Sequence, residues 1–173
     1  MYCKYLSSLS LTGFLVYFLT HGSALAISPQ GEPRGAAFAQ LSSAVDQQPG
    51  NLVQFANKDS LQGISAAANS VNILQKGNYL IIASPQVTAT ADGGCLDAWI
   101  VVNQMDVKNS GVRICQAKAG DTNVVVSQVM MSLKAGDKVQ VKTSGKNVKL
   151  DAIEAKGEPL IPSIILTVFG LGL

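Results

Sequence analysis

The sequence predicts an all-β protein built as a sandwich or barrel, and three features support this prediction. About ten short apolar segments follow one another from residue 36 onward, separated by turn signals. No stretch after residue 70 keeps the apolar repeat of a helix. Several segments are apolar at consecutive positions, as strands covered on both faces are.

The expected strands lie between loops rich in Gly, Asn, Asp and Lys. Residues 36–44 are rich in Ala and Ser and do not decide between strand and loop, and residues 61–70 fit a short helix or a loop. Pro85 predicts a bulge or an edge position. The apolar segments between these loops predict strands at residues 52–55, 71–74, 79–90, 96–102, 111–115, 122–133, 138–143, 148–153 and 161–173.

Some of these segments alternate between polar and apolar residues, and others do not. Residues 138–142 read Lys-Val-Gln-Val-Lys, which predicts one face in water. Residues 79–83, 124–126 and 164–166 are apolar on both faces, yet the sequence offers no helices to cover a second face. Another subunit is the simplest cover, and loops folded over a central strand are the alternative.

The N-terminal region predicts export. Lys4 precedes an apolar run over residues 9–19, and Ala24-Leu25-Ala26 has the small-x-small pattern of a signal-peptidase site. We therefore divide the chain into a signal peptide (1–26), a flexible lead-in (27–35) and one domain (36–173), with Ile27 as the mature N-terminus. An uncleaved anchor helix is the alternative. The short signal suits a bacterial protein of the periplasm, cell surface or medium.

The net charge and the histidine content exclude some classes of function. The formal net charge is +2 and loses one unit when Lys4 leaves with the signal, which argues against a nucleic-acid partner. The one histidine, His21, leaves with the signal too. Without it the mature chain lacks Ser-His-Asp or Cys-His catalysis and His-ligated zinc, so we expect a binding protein without cofactor or metal rather than an enzyme.

Cys95 and Cys115 remain after cleavage and predict a disulfide in an exported chain. The closed loop would stabilise the fold by about 3 kcal/mol in the chain-entropy model. Two buried free thiols are the alternative.

A lysine cluster in the C-terminal third offers a possible patch for anionic ligands. The alternative is a solvated strand face that protects a sheet edge from aggregation, which the interleaved acids favour. The candidate patch residues are Lys138, Lys142, Lys146 and Lys149.

Two further sets of residues have a structural and a functional interpretation. Four aspartates lie at expected turns, where carboxylates could bind Ca²⁺: Asp92, Asp97, Asp106 and Asp121. No calcium-binding loop of fixed spacing appears, so the preference of Asp for turns explains them better. Trp99 has apolar neighbours, which favours core packing over a platform for sugars.

Taken in order, several segments resemble those of the complement one-q globular head, within the tumour necrosis factor-like jelly-roll superfamily. The resemblance covers the whole expected domain, without a preceding collagen stalk. The turn at Asn103 lacks the family's Gly, and aliphatic residues replace the aromatic before Gly77. The segments are Ala-Phe-Ala (37–39), Leu-Val-Gln-Phe-Ala (52–56), Gly-Asn-Tyr-Leu-Ile (77–81), Val-Val-Asn-Gln (101–104), Leu-Lys-Ala-Gly-Asp-Lys-Val (133–139) and the closing residues 163–173.

The resemblance implies a TNF-like jelly roll of two antiparallel sheets that packs as a homotrimer and recognises ligands. It thus predicts a secreted or surface-exposed recognition protein for protein or glycan ligands. A structural coat or appendage-tip protein is the alternative. Together with the two-sided apolar strands, it assigns five residues to the trimer interface or core: Tyr79, Ile81, Ile165, Phe169 and Leu171.

Overall fold

The structure, a computed structural model, describes residues 36–154 and 156–172. The expected signal peptide and lead-in lie outside these residues. No helix in the described part has the length and apolar character that crossing a bilayer needs. Its strands are β1 (Phe38–Ser43), β2 (Asn57–Gln62), β3 (Ile64–Ala67), β4 (Ser70–Ile73), β5 (Gly77–Ala89), β6 (Gly94–Val102), β7 (Met105–Asp106), β8 (Val112–Gln116), β9 (Thr122–Val124), β10 (Ser127–Leu133), β11 (Lys138–Lys146), β12 (Val148–Leu150) and β13 (Ile164–Gly170).

These strands form two antiparallel sheets. The first sheet has the order β10-β5-β13-β1-β2, and β9 and β12 pair with the second half of β5. The second sheet has the order β3-β4-β11-β6-β7, and β8 pairs with β6. The sheets pack face to face over one hydrophobic core.

Neighbouring strands come from distant parts of the chain. In the first sheet β1 pairs with β13, β13 with β5 and β5 with β10; in the second, β4 pairs with β11, β11 with β6 and β6 with β8. The chain thus crosses between the sheets on passing from β4 to β5 and from β5 to β6. Such nested antiparallel pairing is the arrangement of a jelly roll. The predicted all-β, two-sheet antiparallel sandwich with jelly-roll-like topology is confirmed.

The core follows the alternation of side chains along the long strands. On β5, Tyr79, Ile81 and Ala83 are buried, whereas Leu80 and Ile82 between them point to the outer face. Strand β13 repeats this pattern with three buried residues of its own, Ile164, Leu166 and Val168. Strands that looked apolar on both faces therefore have one face in the core and one half-exposed.

Pro85 lies where β5 changes partners. The β10 pairing ends at Ala83, the β13 pairing ends at Pro85 itself, and the β9 pairing begins at Gln86. A residue without an N–H fits this junction because no continuous ladder needs its donor there.

Three sequence expectations are corrected. Residues 61–70 form neither a helix nor a loop: they span the end of β2, all of β3 and the start of β4. Residues 52–55 form no strand, although Val53 and Phe55 are buried, because only an isolated bridge from Leu52 joins them to a sheet. The expected strand at 122–133 is divided into β9 and β10.

Candidate functional site

Strand β6 alternates between the core and the outer surface of the second sheet. Leu96, Ala98 and Ile100 are buried. Asp97 and Trp99 therefore point outward, and Trp99 is half-buried. The expectation that Trp99 packs in the core is wrong because its apolar neighbours occupy the opposite face of the strand.

Two neighbours hold the Trp99 ring. Its indole Nε1–H donates a hydrogen bond to Asp106 Oδ1 at 2.8 Å. Lys142, directly opposite on β11, places Nζ 5.5 Å from the ring centroid, within cation–π range. These two contacts fix the orientation of the ring.

The ring borders a shallow groove between β6 and the start of β8, which we call the Trp99 groove. Its volume is about 350 Å³, at the lower end of the range for small-ligand sites. The groove is open at Gly111, since a Cβ there would meet no atom within 4 Å. The groove is lined by Asp97, Ala98, Trp99, Gly111, Val112 and Arg113.

An ion pair forms the polar end of the Trp99 groove. Arg113 Nε donates to Asp97 Oδ1 at 2.6 Å, and Nη2 donates to Oδ2 at 2.9 Å. The Arg113 hydrogen bonds favour the carboxylate and lower the pKa of Asp97, and the same contact raises the pKa of Arg113. Both groups are therefore charged at neutral pH, with the Arg113 side chain 70% exposed.

The disulfide lies beside this groove. Cys95 and Cys115 are direct cross-strand partners on β6 and β8, and their sulfurs are bonded, as predicted. The bond links the two strands that carry Asp97 and Arg113. It therefore limits how far the walls of the Trp99 groove can separate.

The lysines of the expected anionic patch do not act as one group. Lys138, Lys142 and Lys146 belong to β11 in the second sheet, whereas Lys149 belongs to β12 in the first. Lys149 Nζ contacts Asp46 at 2.7 Å and Asp151 at 2.8 Å, contacts that raise its pKa.

The turn aspartates have structural partners. Asp92 accepts a hydrogen bond from the backbone N–H of Ala119 at 2.8 Å, and Asp121 accepts one from that of Lys118 at 3.0 Å. Asp97 pairs with Arg113, and Asp106 accepts a hydrogen bond from Trp99. Within residues 36–154 and 156–172, no three His, Cys, Asp or Glu side chains come together as a metal site.

A second candidate surface lies on the outer face of the first sheet. Phe38 on β1 is paired with Phe169 on β13. Phe169 is paired with Leu80 on β5, which is paired with Met130 on β10. Paired residues of an antiparallel sheet share a face, so these four side chains form an apolar row across four strands. Met130 is 69% exposed and Phe169 44%.

The structure separates the five residues assigned to the trimer interface or core. Tyr79 and Ile81 lie in the core of the sandwich, so they do not line an outer surface. Ile165 is half-buried on the outer face of β13, Phe169 belongs to the apolar row, and Leu171 is exposed just after that strand. Any contact between copies at this face would thus use the outward residues.

No protein-family model matches this sequence, and no curated protein matches it either.

Sequence reasoning missed the Trp99 groove. The signal was present, because Trp99 falls out of phase with Leu96, Ala98 and Ile100 in a period-two pattern. The predicted Cys95–Cys115 disulfide was also a signal for the pairing of β8 with β6, because an antiparallel register through that pair places Arg113 opposite Asp97.

Proposed function

We propose that this chain is an exported, homotrimeric recognition protein that binds protein or glycan ligands through a jelly-roll domain and catalyses no reaction. The observation that carries the proposal is the apolar row on the outer face of the first sheet. Large exposed apolar patches are uncommon on monomers and typical of surfaces between subunits. A closed ring of copies would bury each row without leaving an open end.

The order of strands supports a tumour necrosis factor-like module. Its sheet pairings fit the jelly roll that the sequence resemblance implies. The outer face of the sheet that contains β1, β5, β10 and β13 is the more apolar candidate for contact between copies. The outer face of the second sheet carries the Trp99 groove and thus remains open to a ligand when the first is covered.

Export is supported by the disulfide. Bonds such as Cys95–Cys115 persist in oxidising compartments and are rare in the cytosol. The small-x-small sequence at residues 24–26 fits cleavage before Ile27. N-terminal sequencing of exported material tests this part, and a chain that still begins at Met1 in the membrane fraction would contradict it.

The assembly is tested by replacing Phe169 with Asp. In a trimer this substitution brings three carboxylates close together in a dry interface, where burying unpaired charge is costly. In an isolated subunit the cost is small, because the Phe169 side chain is 44% exposed. We expect light scattering to give three chains for the mature protein and one for Phe169→Asp.

A matched control distinguishes this effect from general damage. Met105 is 70% exposed on β7 of the second sheet. Met105→Asp adds the same charge to an exposed apolar position outside the apolar row, so this variant should remain trimeric. A monomeric or dimeric mass for the unmodified mature protein at micromolar concentration would overturn the trimer.

A further inference from the structure

The Trp99 groove combines an apolar ring with polar groups at one end. Trp99 is the only tryptophan in the chain, and Asp106 and Lys142 fix its ring. A rigid aromatic platform loses little conformational entropy when a ligand packs on it. The groove therefore offers a preorganised flat surface.

Arg113 supplies donors beside that surface. A guanidinium has five N–H groups, and Asp97 takes two of those of Arg113. The others remain for a ligand, and the side chain is 70% exposed. Asp97 accepts from Arg113 and from the Ser144 hydroxyl, and a carboxylate has about four acceptor sites, so one remains beside the Arg113 donors next to the ring.

The charges around the ring balance. Arg113 and Lys142 contribute two positive charges, and Asp97 and Asp106 contribute two negative charges. A site with no net charge gives an anionic ligand no electrostatic advantage. It suits an uncharged ligand with an apolar face and hydroxyl groups at its edge.

We propose that the Trp99 groove binds a neutral sugar residue of a glycan, which stacks its C–H face on Trp99 and bonds its hydroxyl groups to Arg113 and Asp97. This inference rests on the proposed recognition function and names the ligand class. A homotrimer would present three such grooves, which raises the affinity for a repetitive glycan through avidity.

The single tryptophan allows a direct test. The unmodified mature protein is titrated with tetrasaccharides of glucose, mannose, galactose and N-acetylglucosamine, and the intrinsic fluorescence is recorded. We expect a saturable change with at least one of them. No saturable change with any of the four at millimolar concentration would overturn the proposal.

Variants are compared by calorimetry, which does not depend on the fluorophore. Trp99→Ala should weaken binding about tenfold or more, whereas Trp99→Phe, which keeps a ring, should lose less. Leu74→Ala removes an exposed apolar side chain outside the groove and should bind like the unmodified protein. Binding that Trp99→Ala leaves unchanged would refute the site.

Two further outcomes separate this inference from others. A sulfated, acidic oligosaccharide that binds in place of the neutral ones would refute the neutral ligand class. Light scattering on the same sample distinguishes the groove from the trimer. A trimer that binds none of the sugars refutes the groove alone, and a monomer that binds one refutes the trimer alone.

Discussion

Gly94 allows two stretches of backbone to approach closely beside the disulfide. A Cβ at this position would overlap the carbonyl oxygen of Asn147 and lie 2.8 Å from Val148 Cγ1. Because the first of these atoms belongs to the backbone, a rotamer change cannot relieve the contact. The absence of a side chain at Gly94 is therefore a packing requirement of the fold.

Replacing Gly94 with Ala should lower the free energy of unfolding by about 1–3 kcal/mol, the usual cost of overpacking. Gly111→Ala is the matched control, because a Cβ there meets no atom within 4 Å. That variant should be unchanged or slightly more stable, since Ala restricts the unfolded chain. Urea unfolding measures both, and equal midpoints for the two variants would contradict the steric argument.

Single residues also show what the sequence could and could not reveal. Cys95 and Cys115 were predictable as a pair because an even cysteine count after the expected signal peptide leaves few alternatives. The outward position of Trp99 required the phase of β6 to be read residue by residue. The position of Arg113 follows from the Cys95–Cys115 pair in an antiparallel register. The position of Lys142 depends on the pairing of β6 with β11, which local sequence does not encode.

At the scale of elements, the hairpin between β6 and β7 has an unusual sequence for its turn. Asn103 and Gln104 both have positive φ, 51° and 67°. A two-residue hairpin turn of this kind favours Asn-Gly. Asn103 also makes two side-chain bonds: it donates to Asp137 Oδ1 at 2.8 Å and accepts from the N–H of Lys138 at 2.9 Å.

Gln104→Gly should raise the free energy of unfolding by about 0.5–1 kcal/mol. A left-handed conformation costs a non-glycine residue about 1 kcal/mol or more, and the greater freedom of Gly in the unfolded chain offsets part of the gain. Asn103→Gly tests the alternative, because it frees the backbone equally but removes the bonds to Asp137 and Lys138 and should destabilise. Thermal unfolding of both variants gives the answer, and a lower midpoint for Gln104→Gly would contradict it.

Element boundaries were predictable where apolar alternation is strong and not where it is weak. Strands β5, β6, β11 and β13 overlap the expected segments: β13 lies inside its segment, β5 and β6 begin before theirs, and β11 ends after its own. The β2 strand is exposed at all six positions, so it carries no hydrophobic signal. Val53 and Phe55 show the reverse case: both are buried, although only an isolated bridge from Leu52 to Lys142 joins this segment to a sheet.

At the scale of the whole molecule, strand spacing predicted a sandwich or a barrel, and the two antiparallel sheets were implied by the resemblance to the jelly-roll superfamily. Apolar residues at consecutive positions correctly indicated that both faces of β5 and β13 are apolar. They could not indicate which residues face inward. The strand register shows that Tyr79 and Ile81 face the core. The proposed contact between copies therefore involves the apolar row instead of these two residues.

Three aspartates accept hydrogen bonds that predict how the stability of the molecule depends on acid. Asp46 bonds to Lys149 and to the N–H of Ala152, and Asp97 pairs with Arg113. Asp137 accepts from the N–H of Lys134 and from Asn103. Hydrogen bonds to the carboxylate lower the pKa in each case, with Lys149, Arg113 and the Lys134 N–H as the respective main causes.

The sign of the pH effect follows from these directions. A carboxyl group with a lower pKa in the folded state binds protons more readily when the chain unfolds. Its contribution to stability is therefore complete above the unfolded pKa, near pH 4, and is lost as the pH falls through the folded values. No histidine lies in residues 36–172 to titrate near neutrality.

We therefore expect the midpoint of thermal unfolding to stay nearly constant from about pH 8 to 5 and to fall below about pH 4. Asp137→Asn should lower the midpoint at pH 7, because an amide cannot replace a carboxylate that accepts from both Lys134 and Asn103. The same variant should show a smaller drop between pH 5 and 3 than the unmodified protein, since one linked proton is gone. A fall centred near pH 6.5, or an identical acid drop in the variant, would contradict the assignment of acid sensitivity to these carboxylates.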